Sequence, residues 1–180
     1  LLAHLRWPFA LLAGLVLLGL LCAPFPGAYW RVMGSEQGVV ENGTVLVALM
    51  AMVVAGQLTR RTARQGRRWL AVWFGFFALG TFFLAGEEAS WGQQWFHWPT
   101  PPGWAARNIQ GETNFHNTSQ LTEEIPKNTL SLAVLLTGLL WPLWAGLRGK
   151  VSWLQRTPLG LIWPSAILWP SAAIAFLLRA

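Results

Sequence analysis

Two short stretches of this 180-residue chain gather most of the side chains able to do chemistry. The first is Glu87-Glu88-Ala89-Ser90-Trp91-Gly92-Gln93-Gln94-Trp95-Phe96-His97-Trp98, which follows directly on eighteen uncharged residues. A carboxylate beside such a run must reach water, a cation or a shared proton, because an acid inside a spanning helix costs several kcal/mol near mid-membrane and less at the edge. Glu87 and Glu88 are therefore candidate acid–base groups. The second stretch, Asn108-Ile109-Gln110-Gly111-Glu112-Thr113-Asn114-Phe115-His116-Asn117-Thr118-Ser119-Gln120, spaces Glu112 and His116 four residues apart. On a helix that spacing puts carboxylate and imidazole on one face, close enough for a common metal ion; in a loop the inference fails.

These residues suggest a mixed nitrogen and oxygen site. His97, Glu112 and His116 are the candidate ligands of a divalent metal, with Glu87, Glu88, Glu112 and His116 as catalytic candidates. Ser90, Trp91, Gln93, Gln94, Asn114 and Asn117 are the candidate substrate-binding groups. If the preceding helix runs on to Trp98, then Glu87, Ser90, Gln94 and His97 share an arc of about 80° beside an aromatic line. Such a site would let a metal-activated water attack an ester, amide or phosphoester of a lipid-linked or amphipathic substrate, in a hydrolase or transferase. Several signals are missing. There is no His-Glu-x-x-His pair and no Asp, and Ser90 has Glu88 where a Gly-x-Ser-x-Gly elbow needs glycine. The alternative is a non-catalytic membrane subunit or small carrier whose polar cluster is structural or binds a membrane-protein partner.

The same residues carry a resemblance. Glu87-Glu88-Ala89-Ser90-Trp91-Gly92-Gln93, followed by Asn108-Ile109-Gln110-Gly111-Glu112-Thr113-Asn114-Phe115-His116-Asn117, resembles a motif pair of an uncharacterised family of small multipass prokaryotic membrane proteins. It covers about thirty residues, implies a membrane setting and brings no activity with it.

The elements that must position these groups follow from the charge distribution. Only 11% of the residues are charged, and the gaps between charges leave five uncharged windows: Trp7–Trp30, Asn42–Thr59, Trp69–Gly86, Asn128–Leu147 and Thr157–Leu178. A crossing helix needs roughly 20 apolar residues, so the expected fold is an all-α polytopic bundle of about five spans, the third extending to Trp98. Residues 1–180 then form one integral membrane domain with a structured polar segment over 87–127. Leu1 rather than Met opens the chain, and a longer protein is the expectation. The net charge of +6 does not point to nucleic acid, since the arginines cluster at 60–68 and the next basic group at 148–156. By the positive-inside tendency these are inner loops, with the N-terminus inside and all seven glutamates outside. The expected setting is a prokaryotic cytoplasmic membrane, with membrane lipids as partners. Many of the thirteen tryptophans lie at window edges as interface anchors, and lone Cys22 offers no disulfide or metal pair. Asn42-Gly43-Thr44 and Asn117-Thr118-Ser119 match the glycosylation tripeptide. Cysteines introduced between Arg60 and Arg68 are expected to resist a membrane-impermeant maleimide in intact cells; labelling from outside would overturn the orientation.

Overall fold

The computed structural model describes residues 6–35, 38–148, 160, 162–163 and 168–177. Among them there are helices and turns and no strand. In order these are α1 (Arg6–Cys22), α2 (Pro26–Tyr29), a π-helical turn (Trp30–Gly34), α3 (Val39–Arg64), α4 (Arg68–Glu88), a 3-10 turn (Ser90–Gly92), α5 (Gln93–Phe96), α6 (Pro102–Ala105), a second 3-10 turn (His116–Thr118), α7 (Gln120–Ala133), a π-helical stretch (Val134–Leu140), α8 (Trp141–Leu147) and α9 (Trp169–Leu177). They fall into two compact units, one within Gly19–Glu123 and one drawn from Leu1–Leu18 and Glu124–Ala180.

Three helical stretches are long and apolar enough to cross a membrane: the one that α3 completes at Arg64, α4, and Gln120–Leu147. The windows Asn42–Thr59, Trp69–Gly86 and Asn128–Leu147 lie inside them. The window Trp7–Trp30 is not one helix, because Pro24 and Pro26 withhold backbone donors and end the 17-residue α1 at Cys22. Much of Thr157–Leu178 lies outside the described residues; α9 covers nine residues of it. The expected extension of the third span to Trp98 is not formed, since α4 stops at Glu88.

The unit that holds the candidate site is built on an antiparallel hairpin of α3 and α4. Its turn is a Schellman cap: Gly66 N–H donates to Ala63 O at 3.0 Å, and Arg67 N–H donates to Thr62 O at 2.9 Å. Gly66 makes this possible at φ +71°, which a side chain would strain. Small residues close the helix pair, with Val45, Ala48, Ala85 and Ala89 buried together. Large apolar residues face out instead, among them Leu46, Met50, Val54, Phe76, Phe77 and Leu79. This inverts a water-soluble core and suits a lipid solvent, in which large side chains lose nothing by exposure and small ones let backbones approach. The hairpin carries opposite charges at its two ends, Glu41, Glu87 and Glu88 at one and five arginines at the other.

In the second unit Pro142 cannot donate to the turn before it, and Val134–Leu140 relaxes to π-helical geometry just upstream, so the helix continues to Leu147. Gly138 faces α9 there. A Cβ on Gly138 would lie 2.7 Å from the Ala172 Cβ. Gly138→Ala is expected to cost about 1–3 kcal/mol through overpacking, seen as a lower melting temperature in detergent. Adding Ala172→Gly should restore most of the loss.

Candidate functional site

At the glutamate end of the hairpin the chain leaves α4 through three consecutive left-handed residues, Ser90 (φ 45°), Trp91 (φ 56°) and Gly92 (φ 96°). Glycine adopts this region freely, whereas two side-chain-bearing residues in it cost on the order of 1–3 kcal/mol each. Such a bend persists only if its side chains are held. They are.

Glu87, 4% exposed, is the first anchor. Trp91 Nε1–H donates to its Oε1 at 2.7 Å, while Phe115 N–H and His116 N–H donate to Oε2 at 2.7 and 2.8 Å. His116 Nδ1 lies 3.4 Å from the same oxygen, an ion-pair distance when the imidazole is protonated. Both carboxylate oxygens are thus engaged, and the backbone entering the His116–Thr118 turn is tied to the end of α4. The Trp91 ring packs edge-on against Phe82 and Phe83, and Gly86 leaves room for it: a Cβ there would meet the ring at 2.8 Å.

The second anchor is a buried polar chain. Ser90 Oγ–H donates to Glu112 Oε2 at 2.7 Å; Asn114 Nδ2 donates to Glu112 Oε2 at 2.5 Å and to Ser90 Oγ at 3.0 Å. Asn108 Nδ2 donates to Asn114 Oδ1 and to its carbonyl, and Asn108 Oδ1 accepts from the N–H groups of Gln110 and Glu112. Ser90, Asn108, Glu112, Asn114 and Asn117 are all buried. Gln93 adds a third tie, accepting from Thr113 N–H and donating to Thr100 Oγ1, which in turn donates to the Gly111 carbonyl. Asn117 Nδ2 donates to Gln110 Oε1. The two polar stretches, 87–98 and 108–120, are the two halves of this clasp.

The structure separates several residues that spacing had grouped. The polar stripe of Glu87, Ser90, Gln94 and His97 is not assembled, because the left-handed bend ends helical periodicity after Glu88. Gln94 is half-buried in α5, and His97 is exposed in a left-handed cap of that helix. Glu112 and His116 do not share a helix face: the helical turn begins only at His116, so Glu112 engages Ser90 while His116 meets Glu87. Among the described residues no three His, Cys, Asp or Glu side chains are placed to hold a metal ion, so His97, Glu112 and His116 do not form a ligand set. Neither glycosylation tripeptide presents a free amide. Asn42 accepts from Trp95 Nε1 at 3.0 Å and donates to the Gly38 carbonyl, and Asn117 is buried in the clasp.

Other residues gain importance only in three dimensions. Asn108 is the hub, and its signal was present in the Asn-x-x-Gly turn sequence, where an Asn oxygen caps the following amides. Glu41 lies close enough to Glu88 and Glu112 to feel their charges, and its buried Oε2 has no hydrogen-bond partner. Beside the clasp a cleft of about 450 Å³ is lined by Gly103, Trp104, Arg107, Phe115 and Thr118. Arg107 is the sole Lys or Arg between Arg68 and Lys127.

Glu87→Gln should destabilise the unit by about 2 kcal/mol, because an amide has one acceptor oxygen for donors that now use two. Glu88→Gln should cost much less. Hydrogen exchange at the Phe115 and His116 amides reads the difference, with faster exchange expected only in the first variant. Comparison of the chain with family models, with curated proteins and with solved structures gave no match.

Proposed function

We propose that this is a non-catalytic polytopic membrane protein, with about five crossings and its N-terminus inside, that binds an amphipathic anion at its outer boundary. One contrast supports the reading. The groups a reaction would draw on, Glu87, Ser90, Glu112 and Asn114, are buried and tied up in hydrogen bonds of the clasp, whereas the open cleft beside them is lined by Arg107 together with Trp104 and Phe115. A cleft lined by one cationic and two aromatic side chains matches a ligand with an anionic head and an apolar body, such as a lipid-linked phosphate or carboxylate. On this reading the clasp serves recognition by fixing Phe115, whose N–H is bound by Glu87.

Titration of the purified protein with a short-chain anionic phospholipid is expected to give saturable binding that Arg107→Gln weakens by about tenfold, equivalent to about 1.4 kcal/mol. Unchanged affinity in that variant would remove the proposal.

A hydrolase or transferase is the second reading, favoured by the 2.7 Å contact between Ser90 Oγ and Glu112 Oε2, the approach of a nucleophile to a base. It requires the clasp to open, because Ser90 is fully buried, and its metal-assisted form requires His97 to be brought to Glu112 and His116. Labelling of Ser90 by a fluorophosphonate, lost in Glu112→Gln, would establish it. An unlabelled serine in the folded protein would leave the binding reading standing.

A further inference from the structure

The opposite end of the hairpin carries a separate site that owes nothing to the outer cleft. Gln57, Arg60, Arg61, Arg64 and Gln65 line a cleft of about 410 Å³ at the end of α3. Advancing 100° per residue, these five side chains fall within an arc of about 140°. Ala55 and Thr62, which are buried, lie on the other side of the helix. The arginine face therefore looks away from the buried side, and no α4 residue lines the cleft.

Nothing within the hairpin neutralises it. Among the described residues these three guanidiniums make no ion pair, and the nearest acid on the same helix, Glu41, is nineteen residues away from Arg60, on the order of 30 Å along the axis. That is several Debye lengths at physiological salt. The antiparallel helices also set the C-terminal dipole of α3 beside the N-terminal dipole of α4, and the two largely cancel. What remains is a concentrated positive charge with two carboxamide groups among it.

The same face continues along α3 as apolar surface. Leu46, Val47, Met50, Val53 and Val54 are each more than half exposed and share the arc of the arginines. Passing down the helix, the face reads aliphatic, then carboxamide at Gln57, then guanidinium at Arg60, Arg61 and Arg64. A phospholipid has that order along its length: acyl chain, ester carbonyls, phosphate. A free phosphate ion would use only the last part.

We propose that this face is a binding site for an anionic phospholipid, with the phosphate held by Arg60, Arg61 and Arg64, an ester carbonyl accepting from the Gln57 carboxamide, and an acyl chain lying over Met50, Val53 and Val54. The planar fork of arginine suits a phosphate's paired oxygens better than a point charge does.

The test uses the full chain in nanodiscs of zwitterionic phosphatidylcholine doped with phosphatidylglycerol, with co-retained lipid counted by native mass spectrometry. Wild type should retain phosphatidylglycerol at least about tenfold above its share of the bilayer. Arg60→Gln/Arg64→Gln should abolish that enrichment, while Arg67→Gln/Arg68→Gln, which removes the same charge outside the cleft, should keep it. Equal loss in both pairs would show diffuse attraction and overturn the site, as would retention in the first pair. Helical circular dichroism confirms folding. Should the glutamine pair fail to fold, Arg60→Lys/Arg64→Lys keeps the charge without the fork and is expected to cut enrichment about threefold; full retention then overturns the proposal. Millimolar inorganic phosphate should not displace the lipid, and displacement with the same arginine dependence would overturn the headgroup assignment.

Discussion

Burial of the Glu87 carboxylate at the end of an apolar helix is the constraint on which the candidate site depends. A carboxylate taken from water needs hydrogen-bond donors on both oxygens. The turn just after α4 supplies one, from Trp91, and the others come from the backbone at Phe115 and His116, nearly thirty residues later. The intervening chain must therefore fold back onto the helix end. That return brings Glu112 and Asn114 against Ser90, with Asn108 bracing Asn114 from behind, and their hydrogen bonds hold the left-handed bend at Ser90, Trp91 and Gly92.

The same bonds decide what the acidic residues are available to do. A buried carboxylate whose oxygens are already engaged by several donors is built into the frame, which suits a structural tie. Reactive-looking residue types therefore form the frame. The groups left facing open space are Trp104, Arg107 and Phe115 at one end of the hairpin and Arg60, Arg61 and Arg64 at the other. Both are cationic clefts. Each lies near apolar surface, where an amphipathic anion can satisfy charge and hydrophobicity together.

Packing between α3 and α4 keeps those two ends apart. With Ala48, Ala55 and Ala85 buried, the helices pack closely without large interlocking side chains, and bulky Leu, Met and Phe residues are left on the outside. In a bilayer this arrangement is stable because the lipid is as apolar as the side chains it replaces. A rigid, close-packed hairpin then separates glutamates from arginines by the length of a membrane-crossing helix, so neither group can neutralise the other.

Much of the helical body was legible from the chain itself. Long uncharged windows over 42–59, 69–86 and 128–147 lie within helices because an apolar run of that length satisfies its backbone internally in lipid. Pro24 and Pro26 explain why the first window breaks. Part of the clasp's membership was also visible, though not its hub Asn108: Glu87, Ser90, Gln93, Glu112, Asn114, His116 and Asn117 all take part in it. Their pairing was not. Helical periodicity grouped Glu87 with Ser90, Gln94 and His97, and Glu112 with His116, because periodicity assumes an unbroken helix; the left-handed residues after Glu88 and the non-helical stretch before His116 break that assumption. Residue types and their order along the chain thus determined that a polar cluster would sit where an apolar helix ends. Only the tertiary structure decided which donor meets which acceptor, because that depends on backbone amides some thirty residues away, and an amide's availability is not written in the identity of its residue.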